Sequence, residues 1–485
     1  MERYNFLLVM CPFWDVKYPP IGIAYISEYL KSKGLRTKVL DYNIITYQAV
    51  NEKYKKYWDI KTNFVWEMPD FLKNQINECV DKILSFDVEI IGFSIMAPNQ
   101  IFSLEVIKKI KEKDPNKIII TGGVQAPLDN AHFIDYHIEG EAEETIYKLI
   151  KAIKNKGDIT KINGIIIYGQ IEGKIKTKER RKPPNLDSLP FTKYEDFNLN
   201  DYVEERIGIL GSRGCINKCV FCNDWKVWKF YSYKSAEKLF NEIKYHVNHN
   251  HINKFEFFDL LLNGNIKELE KFCDLIINSK MKIEWSGSAL IRKEMTFNLL
   301  KKMKGAGCVN LVYGLESGSD KIIRWMGKSF TANEAEQVLK DTSKVNITVS
   351  INLMVGFPGE TKKDFKKTIS FIKKNYKCIS NVPGVATCFV LANSDLEKNH
   401  KKYGINISMN NSWYNWYDNK GNTYDLRLKR VKKLVSLLKK LKIPIFEVKI
   451  IKKEKSFLDS LKIIKILSDK ILIKLNFKKQ INLIP

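Results

Sequence analysis

Gly208-Ile-Leu-Gly211-Ser-Arg-Gly-Cys215-Ile-Asn-Lys-Cys219-Val-Phe-Cys222 runs from a short apolar stretch straight into three cysteines spaced C-x3-C-x2-C. One loop therefore supplies three thiolates and no evident fourth. A cubane [4Fe–4S] cluster is normally held by four cysteines. With three, one iron stays open, and an open coordination position is how a metal site presents itself to substrate instead of only holding a fold together. Zinc would need a fourth Cys or His at close spacing, and the nearest histidine, His246, lies 24 residues past Cys222. Three buried thiols without a metal are the remaining alternative.

Outward from the loop, the chain alternates apolar runs with amphipathic helical stretches. Strands are predicted near Gly208–Gly211, Lys254–Phe258, Lys282–Ser286, Asn310–Gly314, Thr348–Val355 and Gly384–Val390. Upstream, a first alternation places strands at Phe6–Met10, Thr37–Asp41, Ile90–Ser94 and Lys117–Thr121, with helices at Ile21–Lys33, Ile101–Lys113 and Ala142–Asn155. That pattern predicts an α/β fold with a doubly wound parallel sheet. Residues 42–80, rich in Tyr, Trp and Lys, read as an insertion. The proline-rich, non-periodic run Arg181-Lys-Pro-Pro-Asn-Leu-Asp-Ser-Leu-Pro-Phe reads as a linker. The division is a first domain over 1–180, a linker over 181–204, a second α/β domain over 205–400 and a helical, basic extension over 401–485.

A chain of 485 residues with 44% apolar content has room for several cores. Its nine unevenly spaced cysteines do not form a disulfide framework and suit a reducing cytoplasm. Met1 to Met10 reads as a strand, not a signal peptide, and no run of ~18 apolar residues predicts a transmembrane helix. The net charge is +26, and residues 425–485 hold 18 Lys+Arg against 5 Asp+Glu, half the total excess. Such a tail can meet phosphates, anionic lipid or an acidic partner, although a solvated helical face is the simpler reading. The Ile/Leu/Lys pattern from Phe457 onward reads as a helix packed on the domain before it, with a membrane-surface role as the alternative.

The cysteine loop resembles that of the radical S-adenosylmethionine (radical SAM) enzymes, including Phe221 just before the last cysteine, and six strand–helix units fit their partial (βα)6 barrel. The resemblance implies that Cys215, Cys219 and Cys222 hold a [4Fe–4S] cluster whose open iron chelates SAM. It further implies that Glu316, in Gly314-Leu-Glu-Ser-Gly-Ser, contacts SAM, and that Gly356 and Phe357, in Val355-Gly-Phe-Pro-Gly-Glu, lie against adenine. Ser288 is expected at the ribose, Arg292 at the SAM carboxylate or a backbone carbonyl, and Asp259 at a strand end near SAM. A one-electron reductant of flavodoxin or ferredoxin type is the partner this chemistry implies. No acid–base dyad is evident, and apolar strands are expected to wall off the radical.

The first domain resembles that of the cobalamin-dependent radical SAM enzymes. Its matching pieces are Pro19-Pro-Ile-Gly-Ile-Ala, Gly92-Phe-Ser, Thr121-Gly-Gly-Val, Glu139-Gly-Glu-Ala-Glu-Glu and, in the linker, Leu186-Asp-Ser-Leu-Pro-Phe. The cobalamin contacts implied are Pro20, Gly22, Ser94, Gly122, Gly123, Val124, Glu139 and Glu141. His137 satisfies a D-x-H-x-x-G pattern, but it follows Gly122-Gly123 and is not expected to ligate cobalt. The activity implied is methylation of an unactivated carbon of an unknown small molecule or peptide, with rearrangement or cyclisation as the alternative. A methylthiotransferase would carry three further cysteines in the first domain, where only Cys11 and Cys79 occur.

Overall fold

Phe6–Met10 (β1) is buried at every position, as a strand covered by helices on both faces must be. It is second from one edge of a sheet completed by β2 (Thr37–Asp41), β3 (Ile90–Ser94), β4 (Ile118–Gly122), β5 (Tyr136–Ile138), β6 (Ile165–Tyr168) and β7 (Lys174–Lys176). The order is β2-β1-β3-β4-β5-β6-β7, parallel through β5 and antiparallel for β6 and β7. Winding reverses between β1 and β3, which opens a crevice at the carboxyl ends of those strands. The computed structural model describes residues 3–59, 68–123, 133–168, 174–179, 185–407 and 414–449.

Two features of this half depart from the sequence reading. β5 carries only three residues and shows no periodicity, so a fifth parallel strand was not expected. Residues 42–80 are only partly an insertion, because Lys73–Leu84 is the ordinary crossover helix between β2 and β3. Within the described part of the rest, Tyr54 stacks on Phe71 at 4.1 Å, and buried Trp58 donates to Asn43 Oδ1 at 2.7 Å. The described part of the linker is likewise packed. Leu186 and Leu189 are buried with Tyr29, and Asp196 accepts from Ser27 Oγ and Lys31 Nζ.

The second sheet begins with β8 (Ile207–Ile209), followed by the short pair β9 (Ser212–Arg213) and β10 (Ser232–Tyr233) outside it. It continues through β11 (Lys254–Phe257), β12 (Glu284–Ala289), β13 (Cys308–Glu316), β14 (Thr348–Val355) and β15 (Val382–Thr387). These six strands are parallel and follow chain order, as one-way winding produces. The sheet is an open half-barrel with helices on its convex face, where Tyr313 Oη meets Thr342 and Trp285 Nε1 donates to Ala306 O. The described extension adds β16 (Ile405–Asn406) and β17 (Tyr417–Asp418), the helix Tyr424–Lys440, and β18 (Ile445–Lys449), which joins the sheet beyond β15. Through Val448 the chain packs as one unit.

Gly123 closes the β4 turn with φ at 132°, and an added Cβ would lie 2.1 Å from Ile95 O. Gly123→Ala is expected to lower stability by about 2–4 kcal/mol. Denaturant unfolding checks this, and an unchanged midpoint would show that the turn relaxes.

Candidate active site

The cysteine loop leaves β8 at the carboxyl edge of the half-barrel, where such barrels place their chemistry. Gly214 needs its positive φ of 81°, because an added Cβ would sit 2.0 Å from Phe230 O. The loop seats on the turn at Met326-Gly327, with Val220 N donating to Met326 O at 3.0 Å. Backbone N–H groups of Asn217 and Asp224 point at the sulfurs of Cys215 and Cys222, each at 3.4 Å. Burial pushes all three thiols up, Cys222 to about 12. Among the described residues no three His, Cys, Asp or Glu side chains converge on one ion position. A cubane takes each thiolate on a different iron, so Cys215, Cys219 and Cys222 are the residues that could hold one.

Glu316 ends β13 at a register shift with φ at 62°, a strained setting for a non-glycine residue. Its carboxylate is raised by burial and held down by Lys328, whose Nζ lies 3.5 Å from Oε1 and donates to Gly314 O at 2.7 Å. The same ammonium lies 5.9 Å from the centre of the Phe221 ring. A carboxylate and an ammonium thus stand together beside the loop, a matched pair for the zwitterionic end of an amino acid. Lys328 was missed from sequence because, in a chain with 81 Lys+Arg, nothing singles it out.

Other expected SAM contacts have different partners. Asp259 accepts from Gly211 N at 2.9 Å and Ser212 Oγ at 2.5 Å, so it anchors the root of the loop. Arg292 is engaged by Glu294 and by the carbonyls of Asn263 and Gly264, the second of its two expected roles. Phe357 is fully buried in a core with Trp416, Cys388 and Val390, so its ring does not face a ligand. An added Cβ at Gly356 would strike Arg427 Cγ at 2.2 Å, so there the glycine makes room for the extension. Ser288 is half-buried on β12 at the concave face.

That concave face is mixed. Residues alternating with the buried, helix-facing positions are Glu256, Ser286, Asn310 and Ser350 in the amino-terminal half of the strands, and Val312, Asn352 and Met354 nearer their carboxyl ends. Ser286 Oγ donates to Glu256, and Ser350 Oγ donates to Asn310 Oδ1 at 2.8 Å. Arg206 Nη1 stands 3.6 Å from Glu256.

In the first domain, Pro20, Gly22, Ser94, Gly122, Gly123, Glu139 and Glu141 all fall at the carboxyl edge; Val124 lies outside the described residues. Gly22 is exposed, with nothing within 4 Å of an added Cβ. The two acids have protein partners: Glu139 pairs with Lys176 at 2.9 Å and Glu141 with Arg213 at 3.0 Å. His137 is buried in β5 with Nδ1 2.9 Å from Thr121 Oγ1, and burial lowers its pKa. The segment after β1 pairs with the chain leading into β8: Val16 O and Lys17 O accept from Val203 N and Glu204 N. There the Tyr18 ring meets the edge of Phe258 at 5.3 Å, at the end of β11.

Residues 209–372 match the Radical SAM superfamily. An uncharacterized methyltransferase of Pyrococcus horikoshii is 26% identical over 376 residues, covering 73% of each chain. The anaerobic magnesium-protoporphyrin IX monomethyl ester cyclase of Cereibacter sphaeroides is 23% identical over 72% of this chain and 56% of its own. Among solved structures, the radical SAM methyltransferase TsrM of Kitasatospora setae, with cobalamin and a [4Fe–4S] cluster bound, superposes with a TM-score of 0.63. It is 13% identical and covers 84% of this chain and 76% of its own. The cobalamin-dependent radical SAM enzyme OxsB, with aqua-cobalamin and SAM bound, gives 0.65 at 17% identity, covering 85% and 63%. The chain thus spans between 56% and 76% of the length of these relatives. Residues 209–372 thus form a domain of the radical SAM type, the family whose chemistry uses a [4Fe–4S] cluster and SAM, in a chain that shares the two-part fold of those structures. No helix among the described residues is long and apolar enough to cross a membrane.

Lys328→Met is expected to weaken SAM binding by about tenfold or more, the scale of a charged hydrogen bond. Equilibrium dialysis measures it, and an unaltered Kd would reduce Lys328 to a brace for β13. Asp259 is raised to about 6, mainly by burial against its hydrogen bonds. A carboxyl raised above its unfolded value contributes most at low pH and loses that contribution as pH climbs through its folded pKa. Relative to Asp259→Asn, the wild type is expected to lose up to about 3 kcal/mol between pH 4 and pH 7. Urea titrations across that range decide it, since a constant difference would mean an unshifted Asp259.

Proposed function

We propose that this protein binds cobalamin at the carboxyl edge of its first sheet and transfers a methyl group to an unactivated carbon of a polar substrate. The supporting observation is that the chain leaving the carboxyl end of β1 reaches the barrel, where the Tyr18 ring packs on Phe258 just past the end of β11. A corrin held over β1 and β3 then faces the same space as the cysteine loop. When bound, the cluster and SAM supply a 5′-deoxyadenosyl radical and the corrin supplies the methyl group.

The chain's own residues bind and orient. Cys215, Cys219 and Cys222 hold the cluster, and Glu316 with Lys328 receives the amino and carboxylate groups of SAM. Gly22, Gly122 and Ser94 leave the edge flat enough for a macrocycle. Glu256, Ser286, Asn310 and Ser350 pair with one another and keep further acceptor capacity for a polar substrate. A flavodoxin- or ferredoxin-type reductant supplies the electron. Cyclisation, the activity named for the Cereibacter sphaeroides relative, would use the same elements, and the fate of the methyl group separates the two.

Anaerobic reconstitution with iron and sulfide, followed by SAM carrying a labelled methyl group, a strong reductant and hydroxocobalamin, tests the proposal. Bound corrin with labelled methylcobalamin, together with 5′-deoxyadenosine that vanishes in Cys219→Ala, is the expected result. Deoxyadenosine without bound corrin would overturn the methyltransferase reading and leave the barrel chemistry standing.

A further inference from the structure

We propose that Arg213 is a positioning residue: it fastens the cysteine loop to the first domain, so that the setting of the cluster depends on two carboxylates, Glu141 and Glu143, that belong to that other domain. Arg213 stands two residues before Cys215, and the intervening Gly214 is hemmed in by Phe230 O, so the chain between them has no slack. The guanidinium is almost fully buried, with side-chain exposure of 6%. Its Nη1 donates to Glu141 at 3.0 Å and its Nη2 to Glu143 at 2.5 Å, both on the segment that follows β5.

The other side of Arg213 meets the first domain again. Its guanidinium lies 5.2 Å from the centre of the Tyr25 ring, on the helix Ile21–Ser32. Tyr25 Oη accepts from Lys234 Nζ at 2.7 Å, and Lys234 is ion-paired with Glu242 on the barrel helix Ala236–His249. Lys234 and Glu242 are 2% and 0% exposed. Charged groups from both domains are thus buried in one continuous network at the root of the cluster loop. Elsewhere the first domain meets the linker through a more open pair, Lys31–Asp196, with exposures of 31% and 12%. Burying ion pairs is a poor way to gain stability, because desolvation consumes most of the attraction. A guanidinium fork divided between two carboxylates does fix orientation, and what it orients here is the strand end that leads into Cys215. This inference rests on the cluster cysteines alone and stands with or without a corrin.

The test uses the reconstituted full chain. Arg213→Lys, Glu141→Gln/Glu143→Gln and Asp196→Asn are compared with the wild type for iron extraction by bathophenanthroline and for the EPR spectrum of the reduced cluster with SAM. Extraction at least fivefold faster in the first two variants, with altered EPR features, is expected, while Asp196→Asn stays as wild type. Wild-type extraction and EPR in the Glu141→Gln/Glu143→Gln variant would overturn the proposal. So would equal acceleration in Asp196→Asn, because general loosening of the domains would then explain the effect. Where the double variant does not retain a cluster, Glu141→Gln and Glu143→Gln are read singly by the same two measures.

Discussion

A half-barrel has an open edge, and an open strand edge exposes unpaired backbone groups that another chain can pair with. Here the edge strand is β8, the strand that delivers the cysteine loop. Its covering comes from the first domain and the linker. Tyr194 Oη donates to Gly208 O, Val16 O and Lys17 O accept from Val203 N and Glu204 N, and Phe258 leans over Gly208, where an added Cβ would lie 2.2 Å from its ring. The rest of the molecule depends on that closure. It caps Gly208 O, pairs the chain after β1 with the chain leading into β8, and packs the Tyr18 ring on Phe258.

The opposite side of the barrel is closed by the C-terminal extension. Arg427, fully buried, lies 3.8 Å from the centre of the Trp416 ring and donates to the carbonyls of Tyr414, Trp416 and Asn422. Asn422 donates to Gly356 O, Asp418 accepts from Gly359 N, and Arg430 pairs with Glu360. The Gly-Phe-Pro-Gly turn is therefore clamped from behind by residues some 60 to 70 positions later in the chain. Burial raises Glu360 to about 7, although Arg430 and Gly356 N oppose it. Clamping from behind leaves the front of that turn fixed in shape toward the barrel mouth.

Much of this was legible in the residues. Strands of the second sheet announce themselves because Phe255, Phe257, Leu311, Tyr313, Val349 and Ile351 alternate with smaller or polar residues, the signature of a sheet with one face against helices. β5 escaped notice because three residues cannot show a period. The packed linker escaped because prolines and polar residues resemble a flexible tether whatever they touch. Lys328 escaped because a lysine in a lysine-rich chain carries no local signal until Glu316 and Phe221 are placed beside it.

Sequence alone determined the longer strands and helices, their one-way alternation and the spacing of the cysteine loop, since each depends on contacts a few residues apart or on a fixed spacing of thiols. Tertiary structure alone decided what the charged residues do. A glutamate after a strand, such as Glu141, reads as a ligand contact until Arg213 arrives from 72 residues away. Asp259 reads as a SAM contact until Gly211 and Ser212 fill its hydrogen-bonding space, and of the two roles open to Arg292 the carbonyls of Asn263 and Gly264 take one. The reason is physical: a backbone period is a property of neighbours in the chain, whereas the partner of a buried charge is a property of neighbours in space.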